Sequence, residues 1–213
     1  MQFNYKLYLV TNQQACLHHD FFGVVEAAVK GGVDLVQIRE KELGEKEFCS
    51  KALKLKELLD RYQVPLIVND SLSVARQINA AGLHVGNNDL LPAFAREQWP
   101  QCGIIGYSLE DLQQLKSVDA AIADYIALSP VFSTPTKTNT IIEWGLEGIR
   151  QVRRLTKKPL VAIGNIHSGN ARDVIRAGAN CLAVVSGICS AKDPERAAAN
   201  IRNEIEKATS YDL

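Results

Sequence analysis

The sequence predicts a single domain, residues 1–213, folded as a (β/α)8 barrel. Three observations predict it. Eight short apolar runs lack polar alternation, as parallel strands covered by helices should. Helical segments separate most of these runs, which is the alternation expected of a parallel sheet. A helix-ending segment also recurs, as AAVKGGVDLV, INAAGLHV, AAIADYIAL and IRAGANCLAV, three of the four with a Gly just before the strand. A doubly wound open sheet is the alternative, but it would normally bring fewer strands and a GxGxxG turn, which the chain lacks.

Taken in order, Lys6–Val10 is the first strand, and Phe21–Lys30 a helix ended by Gly31-Gly32. Val33–Arg39 is the second strand. Glu45–Tyr62 has a strong helical period, with Phe48, Ala52, Leu55, Leu58 and Leu59 on one face. Pro65–Asn69 is the third strand, and Ser71–Ala81 a helix opened by its serine. Leu83–Val85 is a brief fourth strand before a helix at Leu91–Gln98. Gly103–Tyr107 is the fifth strand. Leu109–Ser117 is read as a helix, with Glu110 and Asp111 suiting the dipole of its first turn. Tyr125–Leu128 is the sixth strand, followed by a long connection and a helix at Leu146–Leu155. Pro159–Ile163 and Cys181–Val185 are the last strands, with helices at Asn170–Ala177 and Pro194–Ala208.

The chain is 46% hydrophobic and 23% charged over 213 residues, enough for one sizeable core. Its formal net charge is zero and it has no basic tract, so neither nucleic acid nor an anionic membrane is an expected partner. There is no signal-peptide pattern at the start and no apolar run of transmembrane length. Cys16, Cys49, Cys102, Cys181 and Cys189 are odd in number and contain no CxxC pair. They read as free thiols in a reducing cytoplasm, most of them as small buried hydrophobes.

A barrel of this kind carries its site at the C-terminal ends of the strands. The second strand ends in Gln37-Ile38-Arg39-Glu40-Lys41, where a period of two puts Gln37, Arg39 and Lys41 on the inner face and turns Ile38 toward the helices. An inward arginine needs an anion, either a ligand or an acid such as Glu40. Asp70, after Asn69, and Asp89, after Asn87-Asn88, end adjacent strands. Two such carboxylates suit Mg²⁺, with phosphate oxygens and water completing the shell; each could instead cap the helix that follows it. His84 lies within the fourth strand and reads as a core histidine rather than a ligand. Ser108 ends the fifth strand. Gly164 and Ser186 end the seventh and eighth, the recurrent phosphate site of such barrels. The connection Ser129–Gly145 carries Ser133, Thr134, Thr136, Thr138 and Thr140 around Lys137, which suits a phosphate ester, and it is expected to close over bound substrates. Two anion sites in one mouth, one with metal and cations and one without metal, suggest the joining of two phosphorylated molecules with diphosphate as leaving group.

At these residues the chain resembles the thiamine-phosphate synthase family, through YLVTN, VQIREK, LIVND, GLHVGNNDL, IGYS, DYIALSPVFSTPTKT, GLEGI, AIGNI and AVVSGI in that order. The resemblance implies a transfer that joins hydroxymethylpyrimidine diphosphate to a thiazole phosphate, or to its carboxylated form, with release of diphosphate. It implies that Gln37, Ile38, Arg39, Glu40, Lys41, Asn69, Ser108 and Lys137 bind the pyrimidine diphosphate, with Arg39, Lys41, Ser108 and Lys137 acting in catalysis. Thr134, Pro135, Thr136, Gly164, Val185 and Ser186 would bind the thiazole phosphate, and Asp70 and Asp89 would hold a Mg²⁺ in each subunit. A dissociative course is implied, through a stabilised pyrimidine cation. The chain departs from the family pattern at Asn87, Asn88, Ser129 and Asn165. Two other readings stay open, a thiazole tautomerase of the same fold and a non-enzymatic sensor of a thiamine precursor. Assembly with identical copies is left open as well. Asn165, which replaces a glycine, is expected to take a left-handed backbone conformation.

Overall fold

In the computed structural model, residues 3–17, 19–87, 90–133 and 142–210 are described. Eight parallel strands close into a barrel in sequence order. They are β1 (Leu7–Val10), β2 (Leu35–Ile38), β3 (Leu66–Asn69), β4 (Gly82–Val85), β5 (Ile104–Leu109), β6 (Tyr125–Leu128), β7 (Leu160–Ile163) and β8 (Cys181–Val184). Each strand is buried along nearly all of its length, which is why the sequence shows unbroken apolar runs. Alternate residues divide the apolar mass in two. Tyr8, Val10, Leu35, Ile67, Ile104, Tyr125, Ala127, Val161, Cys181 and Ala183 fill the barrel. Leu7, Leu9, Val36, Ile38, Val68, Leu83, Ile105 and Leu182 pack outward beneath the helices.

The helices are α1 (Phe21–Lys30), α2 (Glu45–Asp60), α3 (Leu72–Gln77), α4 (Pro92–Gln98), α5 (Val118–Ile122), α6 (Gly145–Leu155), α7 (Ala171–Arg176), α8 (Ser186–Cys189) and α9 (Pro194–Thr209). In α2 the buried residues are Phe48, Ala52, Leu55, Leu58 and Leu59, the stripe that its period predicts. Side-chain caps start several helices. Asp20 accepts from the Gly23 amide at 2.7 Å, Ser71 from Val74 at 3.3 Å, and Asp193 from Arg196 at 2.9 Å.

The Leu109–Ser117 helix is corrected. Leu109 completes β5, Leu112–Lys116 is a 3-10 helix, and the α-helix of this unit is α5, opened by Ser117. Asp111 accepts from the Gln113 amide at 2.7 Å, and Gln114 reaches back to the amides of Glu110 and Asp111 at 2.8 and 3.0 Å. These polar residues cap a tight turn instead of lining the first turn of a longer helix. A second 3-10 helix, Gln14–Cys16, and the one-turn α8 had no predicted counterpart.

The connection after β6 is closed at its base. Trp144 N donates to the Pro130 carbonyl at 3.0 Å and Gly145 N to that of Val131 at 2.9 Å. Val131 N donates to the Ile163 carbonyl at 2.8 Å, which seats the base on the end of β7. The predicted loop ligands Thr134, Pro135, Thr136 and Lys137 lie outside the described residues, and so do Asn88 and Asp89.

Candidate active site

A cavity of about 540 Å³ opens at the C-terminal ends of the strands. That volume falls within the ordinary range for a small-molecule site. Its lining includes Gln37, Arg39, Lys41, Asn69, Asp70, Ser108, Gly164, Val185 and Ser186. The barrel closure thus brings these predicted residues, from β2, β3, β5, β7 and β8, to one mouth.

Two predicted contacts are not brought there by their side chains. Ile38 has no solvent exposure and packs in the outer core, because it alternates with Gln37 and Arg39. Glu40 lies past the end of β2, and its carboxylate pairs with Lys51 of α2 at 2.5 Å. Lys51 also donates to Gln13 at 2.8 Å and lies 3.9 Å from the centre of the Phe21 ring. Glu40 therefore ties the β2 end to α1 and α2. It is not the counter-ion of Arg39. Among the described residues, Arg39 and Lys41 make no ion pair, so the mouth keeps two cations for an anionic ligand. The Arg39 amide donates to the Thr11 hydroxyl at 3.2 Å, and Thr11 is wholly buried.

At the end of β3 the backbone turns through Asp70 at φ 62°, a conformation that Asp tolerates better than most residues. Its carboxylate accepts from the Asn69 amide at 2.5 Å. Ser71, not Asp70, caps α3. The Leu91 position that precedes α4 has no side-chain cap. Among the described residues no group of three His, Cys, Asp or Glu side chains could hold a metal. An oxygen donor such as Asp70, beside cations that would hold a phosphate, fits a hard divalent ion completed by ligand oxygens. Asn87 also lines the cavity, and its side chain is tied to β5 and the turn after it: its Oδ1 accepts from Gln114 at 2.7 Å and from the Tyr107 hydroxyl, and its amide donates to the Ser108 carbonyl at 3.2 Å.

The opposite wall is built from small residues. Gly164 has φ 118°, and a Cβ there would lie 2.7 Å from Pro130 Cβ and 2.8 Å from Val131 N. Only glycine lets β7 meet the base of the long connection. Asn165 follows at φ 51°, the expected left-handed conformation. The side chain of Asn170 donates to its carbonyl at 2.9 Å.

Inside the barrel beneath the mouth lies a polar row that the sequence did not announce. Gln37 Nε2 donates to the Tyr8 hydroxyl at 2.8 Å, and that hydroxyl lies 3.1 Å from the Tyr125 hydroxyl. The Tyr125 hydroxyl is 2.9 Å from His84 Nδ1, and His84 Nε2 is 3.0 Å from Ser108 Oγ. Burial pushes the Tyr8 and Tyr125 phenols well above the usual range, so both keep their protons. His84 is a core histidine, as expected, and it also lines the cavity. Strand phase was the available signal for the tyrosines, since a period of two turns both of them inward.

A family profile described as thiamine monophosphate synthase matches residues 7–188. A thiamine-phosphate synthase of Albidiferax ferrireducens is 48% identical over 94% of this chain and 92% of its own. One from Leptospira biflexa is 46% identical, covering 93% of this chain and 96% of its own. The solved structure of a thiamine phosphate pyrophosphorylase from Pyrococcus furiosus superposes with a TM-score of 0.86 at 31% identity, over 96% of this chain and 97% of that one. With the profile spanning β1 to α8 and relatives this similar along nearly the whole barrel, the chain belongs to the thiamine monophosphate synthase family.

Proposed function

We propose that this chain is a transferase that joins hydroxymethylpyrimidine diphosphate to thiazole phosphate, or to its carboxylated form, giving thiamine phosphate and diphosphate, with the carboxyl group of the carboxylated form leaving as carbon dioxide. One observation carries the reading. A single cavity combines the Arg39 and Lys41 cations and the Asp70 carboxylate on one wall with Gly164, Val185 and Ser186 on another. The first wall suits a diphosphate, and the second suits a monophosphate held by backbone N–H groups. A thiazole tautomerase has less use for the first wall.

In this reading Gln37, Asn69 and Ser108 hold the pyrimidine, and Arg39 and Lys41 bind its diphosphate, with Lys137 as a further cation. The bond between the pyrimidine methylene carbon and the diphosphate oxygen breaks, and its electron pair leaves with diphosphate. The thiazole nitrogen then supplies the pair for the new C–N bond. No proton moves in the bond-forming step, so no general base is needed. Arg39 and Lys41 act by stabilising charge as it grows on the leaving group. Orientation of the two rings supplies the rest. Asp70, together with Asp89, would hold Mg²⁺, which when bound neutralises and orients diphosphate oxygens. Five cysteines without a disulfide support a reducing compartment, the cytoplasm. Among the described residues, no helix is long and apolar enough to cross a membrane.

The test is incubation with both substrates and Mg²⁺. Thiamine phosphate and diphosphate should appear in equal amounts. A folded protein that forms neither would overturn the reading.

A further inference from the structure

The polar row inside the barrel connects two residues of the mouth. Each phenol has one proton to donate, so the hydrogen bonds must run in one sense along the row. Gln37 Nε2 donates to Tyr8, which leaves the Tyr8 proton for Tyr125 and the Tyr125 proton for His84 Nδ1. A neutral His84 ring then carries its proton on Nε2 and donates it to Ser108 Oγ. The Ser108 proton is left for the cavity. At the other end, among the described residues, Gln37 Oε1 accepts no hydrogen bond, so the amide presents an acceptor to the cavity. Turning the Gln37 amide over would reverse every bond in the row and make Ser108 an acceptor.

The row is also held sterically. Phe3 packs on Tyr125 with ring centroids 4.7 Å apart, and the His84 and Tyr125 rings lie within 15° of parallel. A Cβ at Gly106 would collide with the Tyr125 ring and hydroxyl and with His84 Nδ1, so the missing side chain of β5 is the space in which Tyr125 meets His84.

We propose that Tyr8, Tyr125 and His84 are positioning residues that lock Gln37 and Ser108 into opposite hydrogen-bonding roles, acceptor and donor, and thereby select a heterocycle edge that offers a donor beside an acceptor. This rests on the reading in which Gln37 and Ser108 hold the pyrimidine. An aminopyrimidine edge, with an N–H next to a bare ring nitrogen, matches the lock. An oxopyrimidine edge, with a carbonyl next to a ring N–H, opposes it at both ends.

Two measurements test the proposal. In the first, calorimetry compares an aminopyrimidine with its oxo counterpart, each bearing a hydroxymethyl diphosphate. Wild type should prefer the amino form by about tenfold or more, the penalty for leaving buried groups mismatched. Tyr125→Phe, with thermal unfolding as a fold control, should bring that preference close to one, because Gln37 and Ser108 then turn independently. Tyr8→Phe should do the same, and the double variant should do no more than either single one. An undiminished preference in folded Tyr125→Phe or Tyr8→Phe overturns the proposal. The second measurement is the nitrogen NMR signature of His84 in the wild-type protein, which needs no ligand. A neutral ring protonated on Nε2 supports the lock, and one protonated on Nδ1, alone or together with Nε2, overturns it. Should wild type bind neither pyrimidine, the functional reading fails on its own, and the tautomer still decides the lock.

Discussion

Arg39 lines the mouth without an acidic partner among the described residues. The acid next to it in sequence, Glu40, is held by Lys51 at 2.5 Å and cannot serve as its partner. Arg39→Met should therefore leave the fold intact and lower turnover by about 10²–10³, the usual loss when a donor to developing charge is removed. Steady-state kinetics with circular dichroism as control checks this; near-normal turnover would be evidence against the diphosphate role. Asn165 is a milder case. At φ 51° it already holds the backbone that glycine would give, so Asn165→Gly should alter the Michaelis constant for thiazole phosphate only modestly. The buried phenols make a pH prediction. Burial raises Tyr8 and Tyr125 above 10.0 and Cys181 above 9.0. Below those ordinary values, native and unfolded chains hold the same protons at these groups. Above them the unfolded chain releases protons that the native barrel retains, so stability falls as pH rises. Urea midpoints measured between about pH 8 and 11 should show this alkaline limb, and Tyr125→Phe should make it shallower.

The elements repeat in pairs, which the recurring segments in the sequence reflect. Those segments lead into β2, β4, β6 and β8. In three of the four, the residue just before the strand braces the strand before it. Asp34 accepts from the amides of Lys6 and Leu7 and pairs with Arg202 at 2.8 Å. Asp124 accepts from Ile105 N at 2.7 Å and pairs with Arg96 at 3.0 Å. Asn180 accepts from Leu160 N at 2.9 Å and from Arg153 at 3.0 Å. In the fourth, Ala81 offers no side-chain acceptor and is held by backbone bonds, its amide donating to the Leu66 carbonyl at 2.9 Å and its carbonyl accepting from Ile104 N at 3.1 Å. Asp124→Ala should cost about 1–3 kcal/mol, since it strips a half-buried amide and an arginine of one acceptor. Asp124→Asn should cost less, because Asn180 does the same work without charge. Denaturant unfolding would rank the two, and equal losses would contradict the brace. This level was largely legible in the sequence: strand order, the α2 stripe and the inward phase of Gln37 and Arg39 all follow from periodicity. The segment after β5 was not, because its polar residues resemble a helix start as well as a capped tight turn. The tyrosines escaped notice too, since a strand aromatic reads as core whether or not its hydroxyl has a partner.

At the scale of the molecule, closure sets the two proposed anion sites face to face. β2 and β3 bring the cations and Asp70, while β7 and β8 bring the small residues. The net charge of the chain is zero, so the attraction for anions is local to the mouth. The proposed metal belongs to the first wall, and its binding should depend on the ligand. Asp70 and Asp89 leave most of an octahedral shell to water and diphosphate oxygens. Mg²⁺ should thus bind weakly to the protein alone and tightly once diphosphate is present, and diphosphate should be tightened by Mg²⁺ to the same degree. Asp70→Asn and Asp89→Asn should each abolish that coupling. The double variant should be hardly worse than the worse single one, since the two carboxylates act on one ion. Calorimetric titration of metal and diphosphate, each with and without the other, measures every arm. Diphosphate binding in the wild type that ignores Mg²⁺ would remove the metal from this wall and leave Arg39 and Lys41 as the whole of the anion site.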